Sequence, residues 1–199
     1  ALYAELWNDF QVDSLHGYGD YDDSMMFGHA VGCLIESFYN YYLNKDNKVV
    51  VQAHEWQSGA AALYVKKHLP QVGTIFTTHA TSIGRSIASN GKPLYDYFEG
   101  YNGDQMAAEL NVQSKHSVEK QTAHNVDCFT TVSDLTAREC EQLIERKIDV
   151  VLENGFEKDF VPSGAAFTKK RNAARKLRIA VAEALTGTKI SDDALLIGL

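Results

Sequence analysis

Four times between residues 49 and 155, a short apolar run breaks into polar residues, and after the first three of them a helix follows. This repeat confines the segment to a parallel α/β design. The runs begin at Val49, Gly73, Val126 and Ile148, and β-branched and aromatic residues fill them. The run Gly59-Ala-Ala-Ala-Leu63 opens the first helix, which proline stops near Leu69-Pro70. A second helix begins near Ala80. Thr136-Ala-Arg-Glu139 reads as a capping box at the start of another. The expected architecture is a Rossmann-like parallel sheet of about four strands with helices on both faces.

In such a sheet, ligands bind just beyond the carboxyl ends of the strands. Those ends are crowded with chemistry. His54, Glu55, Trp56 and Gln57 follow the first run at once. Thr78 and His79 close the second, and Arg85 follows within the next helix. Glu153, Asn154 and Gly155 follow the fourth. An imidazole suits a sugar ring, and a fixed guanidinium suits a phosphate. Asn154 offers two donors and an acceptor, suited to bridging sugar hydroxyls. The plainer reading is a core histidine and a solvated arginine. His54 and Trp56 also read as residues tucked beneath the strand end. His116 and His124 are off metal-ligand spacing, so neither a metal nor a cofactor is expected. No Gly-x-Gly-x-x-Gly run supports a dinucleotide site.

A net charge of -7 argues against nucleic acid as a partner, since that partner needs a basic face. No apolar run approaches the ~20 residues of a membrane span, so no membrane partner is expected. Three cysteines without Cys-x-x-Cys spacing suit a reducing, cytoplasmic setting. Ten tyrosines suit carbohydrate contact, a core or a homo-oligomer interface equally.

The remaining elements are plainer. From Met26 a helix presents Phe27, Ala30, Val31, Leu34, Ile35, Phe38, Tyr41 and Tyr42 on one apolar face, expected to pack on the core. Residues 94–125 read as a polar insertion, either a surface helical pair or the lining of an acceptor groove. Residues 161–189 read as a loop and a basic amphipathic helix. Residues 190–199 read as a strand opening a further domain.

His54-Glu55-Trp56-Gln57, the run from Thr74 to Arg85, Phe129-Thr-Thr-Val-Ser133 and Asn154-Gly155, in this order and spacing, resemble the amino-terminal domain of glycogen synthase of the animal and fungal type. The resemblance implies a retaining glucosyltransferase of GT-B architecture, with two Rossmann-like domains facing across a cleft. Residues 1–160 would be the first domain without its first strand and glycine-rich loop. The partners implied are a nucleotide-glucose donor, carried on UDP or ADP, an α-glucan acceptor, and a second domain of the same enzyme. His79, Arg85 and Glu55 are the catalytic candidates. Asn154, His54, Gln57 and Thr78 are the substrate-binding ones. By itself the chain is expected to be inactive, because donor-phosphate residues of the second domain are absent from it. A non-catalytic glucan- or nucleotide-binding module and a sucrose- or trehalose-type synthase are the competing readings.

Overall fold

The computed structural model describes residues 1–155, 157, 160–191 and 193–195. They fall into two compact units, Ala1–Asn154 and Gly155–Leu199. The first unit holds helices α1 (Leu2–Phe10) and α2 (Asp20–Tyr42), then alternates strand and helix: β1 (Val50–His54), α3 (Gly59–His68), β2 (Gly73–Thr78), α4 (Ser82–Ser89), α5 (Gly103–Glu109), α6 (Gln113–Asn125), β3 (Cys128–Thr131), α7 (Asp134–Glu139) and β4 (Val150–Val151). A single π-helical turn, Cys140–Ile144, continues α7.

The strands pair in parallel in the order β1-β2-β3-β4. This is the expected sheet, with His54 and His79 at the same end of it. The expected helical covering is seen on one face. Ala53, Phe76 and Phe129, in register across three strands, pack against Ala62 of α3, Ala123 of α6, and Cys140 and Ile144 of the π turn. The opposite face leaves Val50 61% and Val150 46% exposed, with Gln52 open beside them. The strand order explains this. Every step moves the chain in one direction, so right-handed crossovers bring their helices to the same side. Between these exposed positions Thr77 and Thr130 are buried, 3% and 2% exposed, and a polar ladder joins them. Gln52 donates to the Thr77 hydroxyl at 3.0 Å, and Thr77 and Thr130 share a hydrogen bond of 2.7 Å.

The core of this unit sits between the sheet and α3, α6 and α2. Helix α2 carries three aspartates in its first turn, where the helix dipole favours them. Its buried line is Tyr21, Met25, Gly28, Gly32 and Tyr39. A Cβ on Gly28 would come within 2.8 Å of Ala60, and one on Gly32 within 2.5 Å of the Tyr64 ring, so bare backbone lets α2 and α3 touch. The face expected to pack instead points outward: Phe27, Leu34, Phe38, Tyr41 and Tyr42 are all more than half exposed. Glycines carry no hydrophobic signal, so the aromatic stripe outweighed the true contact line in the sequence pattern.

Residues 94–125 are not a surface pair. Helix α6 is central and buries Ser114, His116, Val118, Glu119, Thr122 and Ala123. The second unit holds helix α8 (Gly164–Thr186). Leu177, Val181 and Leu185 on it are exposed. The strand expected at 190–199 falls partly on residues outside the described set.

The register of β2 against β3 is fixed by Asp127. Its carboxylate accepts the Thr74 N–H at 2.8 Å and the Thr74 hydroxyl at 2.9 Å, and also pairs with Lys66. These partners, Lys66 first, hold the carboxyl below the ordinary range of an aspartate. A depressed folded-state value means that the stabilisation is complete above the unfolded value of about 3.9 and is lost as pH falls below it. Asp127→Asn should therefore lower the melting temperature at pH 7. The gap from wild type should shrink as the pH of the thermal melts is taken from 5 to 2. A gap that stayed constant across that range would contradict the assignment.

Candidate active site

The register of β1 against β2 pairs His54 with Thr77, so the residues leaving both strand tips converge. His54 Nδ1 lies 3.1 Å from His79 Nε2, one nitrogen donating and the other accepting. Glu55 lies beside them. Its Oε1 accepts the His79 backbone N–H at 2.7 Å, and its Oε2 is 3.8 Å from a guanidinium nitrogen of Arg85. Arg85 reaches this point from the first turn of α4, where its own N–H donates to the Thr81 carbonyl at 3.1 Å. Its side chain is 62% exposed, so the cation remains available to an anion from solvent.

Four predicted residues, His54, Glu55, His79 and Arg85, thus form one group. His54 is exposed rather than tucked under the strand, whereas Trp56 is buried. The Trp56 ring stacks on Tyr21 at 6.2 Å, with the Lys115 ammonium 5.0 Å from its centre. Gln57 lies exposed on the 3₁₀ turn Trp56–Ser58, and Asn154 lies exposed beyond β4. Neither is hydrogen-bonded to the group. Thr78 is fully buried and its hydroxyl donates to Glu119 at 2.7 Å. Among the described residues, no cluster of three or more His, Cys, Asp or Glu could hold a metal. No helix among them is long and apolar enough to cross a membrane.

The profile of the glycogen synthase family matches residues 1–177. The chain belongs to the glycogen synthase family. Over 143 residues it is 36% identical to the glycogen [starch] synthase of Dictyostelium discoideum, covering 72% of this chain and 16% of that protein. It is 34% identical over 153 residues to the enzyme of Neurospora crassa, covering 77% and 21%. It is 32% identical over 154 residues to the human liver enzyme, covering 77% and 22%. The chain therefore spans about a fifth of the length of these relatives.

Two glutamates that sequence reasoning missed support the turn of this glycogen synthase segment. Glu119, fully buried on α6, accepts Thr78 Oγ1 at 2.7 Å, the Ser82 N–H at 2.8 Å and Ser82 Oγ at 2.6 Å. Burial pushes its carboxyl upward, against the pull of those donors. Glu139 accepts Thr81 Oγ1 at 2.9 Å and Tyr95 OH at 2.6 Å. That bond to the carboxylate, with burial, raises the Tyr95 phenol to about 12. Glu139 is thus no capping residue. The cap of α7 is Ser133, which accepts the Thr136 N–H at 3.1 Å. The signal was available in the hydroxyls of Thr78 and Thr81, which are buried and need acceptors, with Ser82 part-buried beside them.

Gly84 stands where these groups crowd the helix. A Cβ there would meet Thr81 Oγ1 at 2.5 Å and Glu139 Oε2 at 2.7 Å. Intrinsic helix propensity favours alanine over glycine by roughly 1 kcal/mol. Overpacking at a filled site costs about 1–3 kcal/mol. The clash should win, so Gly84→Ala should lower the thermal midpoint. A raised midpoint would show that the Thr81 cap is not as tight as described.

Glu55 has φ 61° and ψ 161°, a conformation that suits glycine alone. Holding a glutamate there costs about 1–3 kcal/mol, and such strain gathers at functional sites. Both Glu55→Ala and Glu55→Gly remove the carboxylate, but only the second relieves the backbone. In urea titrations the glycine variant should be the more stable of the two by about 1 kcal/mol or more. Equal stabilities would mean that the strain is not there.

Proposed function

We propose that this chain supplies one wall of the cleft in which a glycogen synthase transfers glucose from a nucleotide-glucose donor to the non-reducing end of an α-1,4-glucan, with retention. The observation that carries the reading is the convergence of His54, Glu55, His79 and Arg85 beyond the tips of β1 and β2. The family membership names the reaction class. The chemistry of the group fits it.

Glycosyl transfer develops positive charge on the sugar and negative charge on the leaving phosphate. Arg85 would meet the phosphate across the cleft, because it is anchored at its base and exposed at its tip. His79 would address the glucose ring, through its imidazole or its backbone carbonyl at the strand tip. Glu55 holds both residues in place: it fixes the His79 backbone directly and offers a counter-charge to Arg85 at 3.8 Å, too long to consume the cation. The His54 ring steadies the His79 ring from β1. Asn154 and Gln57, exposed at the same edge of the sheet, would take sugar hydroxyls. Thr78, with its hydroxyl committed to Glu119, would serve through the turn it holds rather than by touching sugar.

A guanidinium that neutralises a departing phosphate in a dehydrated cleft is worth roughly 3–5 kcal/mol. In a full-length synthase carrying this segment, Arg85→Ala should lower kcat/KM for the donor about 10²–10³-fold. Lys169→Ala, on the exposed face of α8, should stay within about twofold. Arg85→Lys should restore only part of the loss, since an ammonium lacks the bidentate fork. An Arg85→Ala enzyme that melts normally and works within about threefold of wild type would remove the phosphate role. The solvated-arginine reading would then stand.

A further inference from the structure

We infer that Glu119 is a positioning residue for the transfer reaction: it clamps the tip of β2 to the start of α4 and so sets where His79 and Arg85 stand. The inference rests on the reading of the cleft given above.

The geometry is specific. Oε1 of Glu119 takes the hydroxyl of Thr78, the last residue of β2. Oε2 takes both the N–H and the hydroxyl of Ser82, the first residue of α4. One carboxylate on a third element therefore ties together the two ends of the turn that contains His79. All three partners donate, which is the pattern an ionised carboxylate needs and a protonated one would spoil. The charge also sits against the amino-terminal end of α4, where the helix dipole favours it.

A buried carboxylate is an expensive way to join a strand to a helix, and an apolar contact would serve stability as well. What the carboxylate adds is direction. Thr78, Ser82 and the helix that carries Arg85 are held to hydrogen-bond tolerance, and Arg85 is three residues beyond Ser82 on that helix. Catalytic groups lose rate steeply when displaced by about 1 Å. Glu139 braces the same turn through Thr81 from a different element, and Glu55 holds it at the His79 amide. Of the three carboxylates only Glu119 grips both ends.

Glu119→Gln is the informative variant. A glutamine oxygen can still take the two donors of Ser82. Thr78 Oγ1 already lies 3.4 Å from the Ala80 carbonyl and can turn its proton there. The fold should therefore survive a change that loosens the clamp. In a full-length synthase carrying this segment, Glu119→Gln should lower kcat/KM for the donor about tenfold, the weight of one charge-assisted hydrogen bond. With Arg85 already replaced by alanine, the same change should cost clearly less than it does in the wild-type background, because only His79 is then left to position. Glu119→Asp, too short to reach both ends, should resemble Glu119→Gln. Losses that simply add in the double variant would overturn the inference.

A second arm does not depend on catalysis. In the 199-residue chain, Glu119→Gln should speed amide hydrogen exchange at Ser82, Gly84 and Arg85 at least tenfold, about the loss of one such bond. Exchange at Phe76 and Phe129 in the sheet should be unchanged. Equal acceleration at all five would make Glu119 a general stability residue and overturn the positioning role. If Arg85→Ala alone leaves the rate unchanged, the transferase reading fails, and the exchange pattern alone decides the clamp.

Discussion

The hydrogen-bonding needs of one turn, Thr78 to Ser82, govern the site. This turn leaves a buried strand and enters a helix carrying the buried hydroxyls of Thr78 and Thr81 and the part-buried hydroxyl of Ser82, and these and the turn's amide N–H groups need acceptors. Among the local backbone carbonyls, that of Ala80 lies 3.4 Å from Thr78 Oγ1, too long to be its main acceptor. The acceptors come instead from three carboxylates on three elements: Glu55 after β1, Glu119 on α6 and Glu139 at the end of α7. Each is distant in sequence from the turn. Together they make the position of His79 and Arg85 a property of the whole first unit rather than of a local motif.

The visible part of this arrangement was the part that lies on strands and at their tips. Apolar runs of β-branched residues fixed four strands, and the polar residues that interrupt them had to lie at one edge. His54, Glu55, His79 and Arg85 were legible for that reason. Glu119 was not, because its helix buries Ser114, His116, Glu119 and Thr122. A polar buried face has no hydrophobic period to read. Helix α2 failed in the opposite sense. Its true contact face is built on Gly28 and Gly32, while its aromatic residues point outward. Hydrophobicity marks what burial would favour; close approach of two backbones depends on what is missing from a side chain.

The open face of the sheet has the same topological origin as the crowded one. A sheet whose strands run β1-β2-β3-β4 sends its crossovers to one side. The other side carries Val50, Gln52, Ile75 and Val150, and its interior is held by the Gln52–Thr77–Thr130 ladder. Thr77 and Thr130 on this face are buried and satisfy each other's hydroxyls. The sheet can thus keep its register through polar pairs while one apolar face alone forms a core.

Rigidity and availability are divided between the two ends of the same residues. The backbones of His79 and Arg85 are pinned by Glu55, Thr81 and, through Ser82, by Glu119, all in a setting where a lost partner would be costly. The Arg85 guanidinium, by contrast, meets Glu55 only at 3.8 Å and stays largely in solvent. A cation locked into a close carboxylate pair would be neutralised before any other anion could reach it. A cation on an unfixed loop would spend its interaction energy on being ordered. Anchoring the backbone and leaving the charge loosely paired avoids both losses, and it is the arrangement that electrostatic preorganisation requires. The strained backbone of Glu55 belongs to the same logic. A glutamate forced into a glycine-like conformation puts its carboxylate beneath the His79 amide and beside Arg85 at once, which the unstrained continuation of β1 would not do.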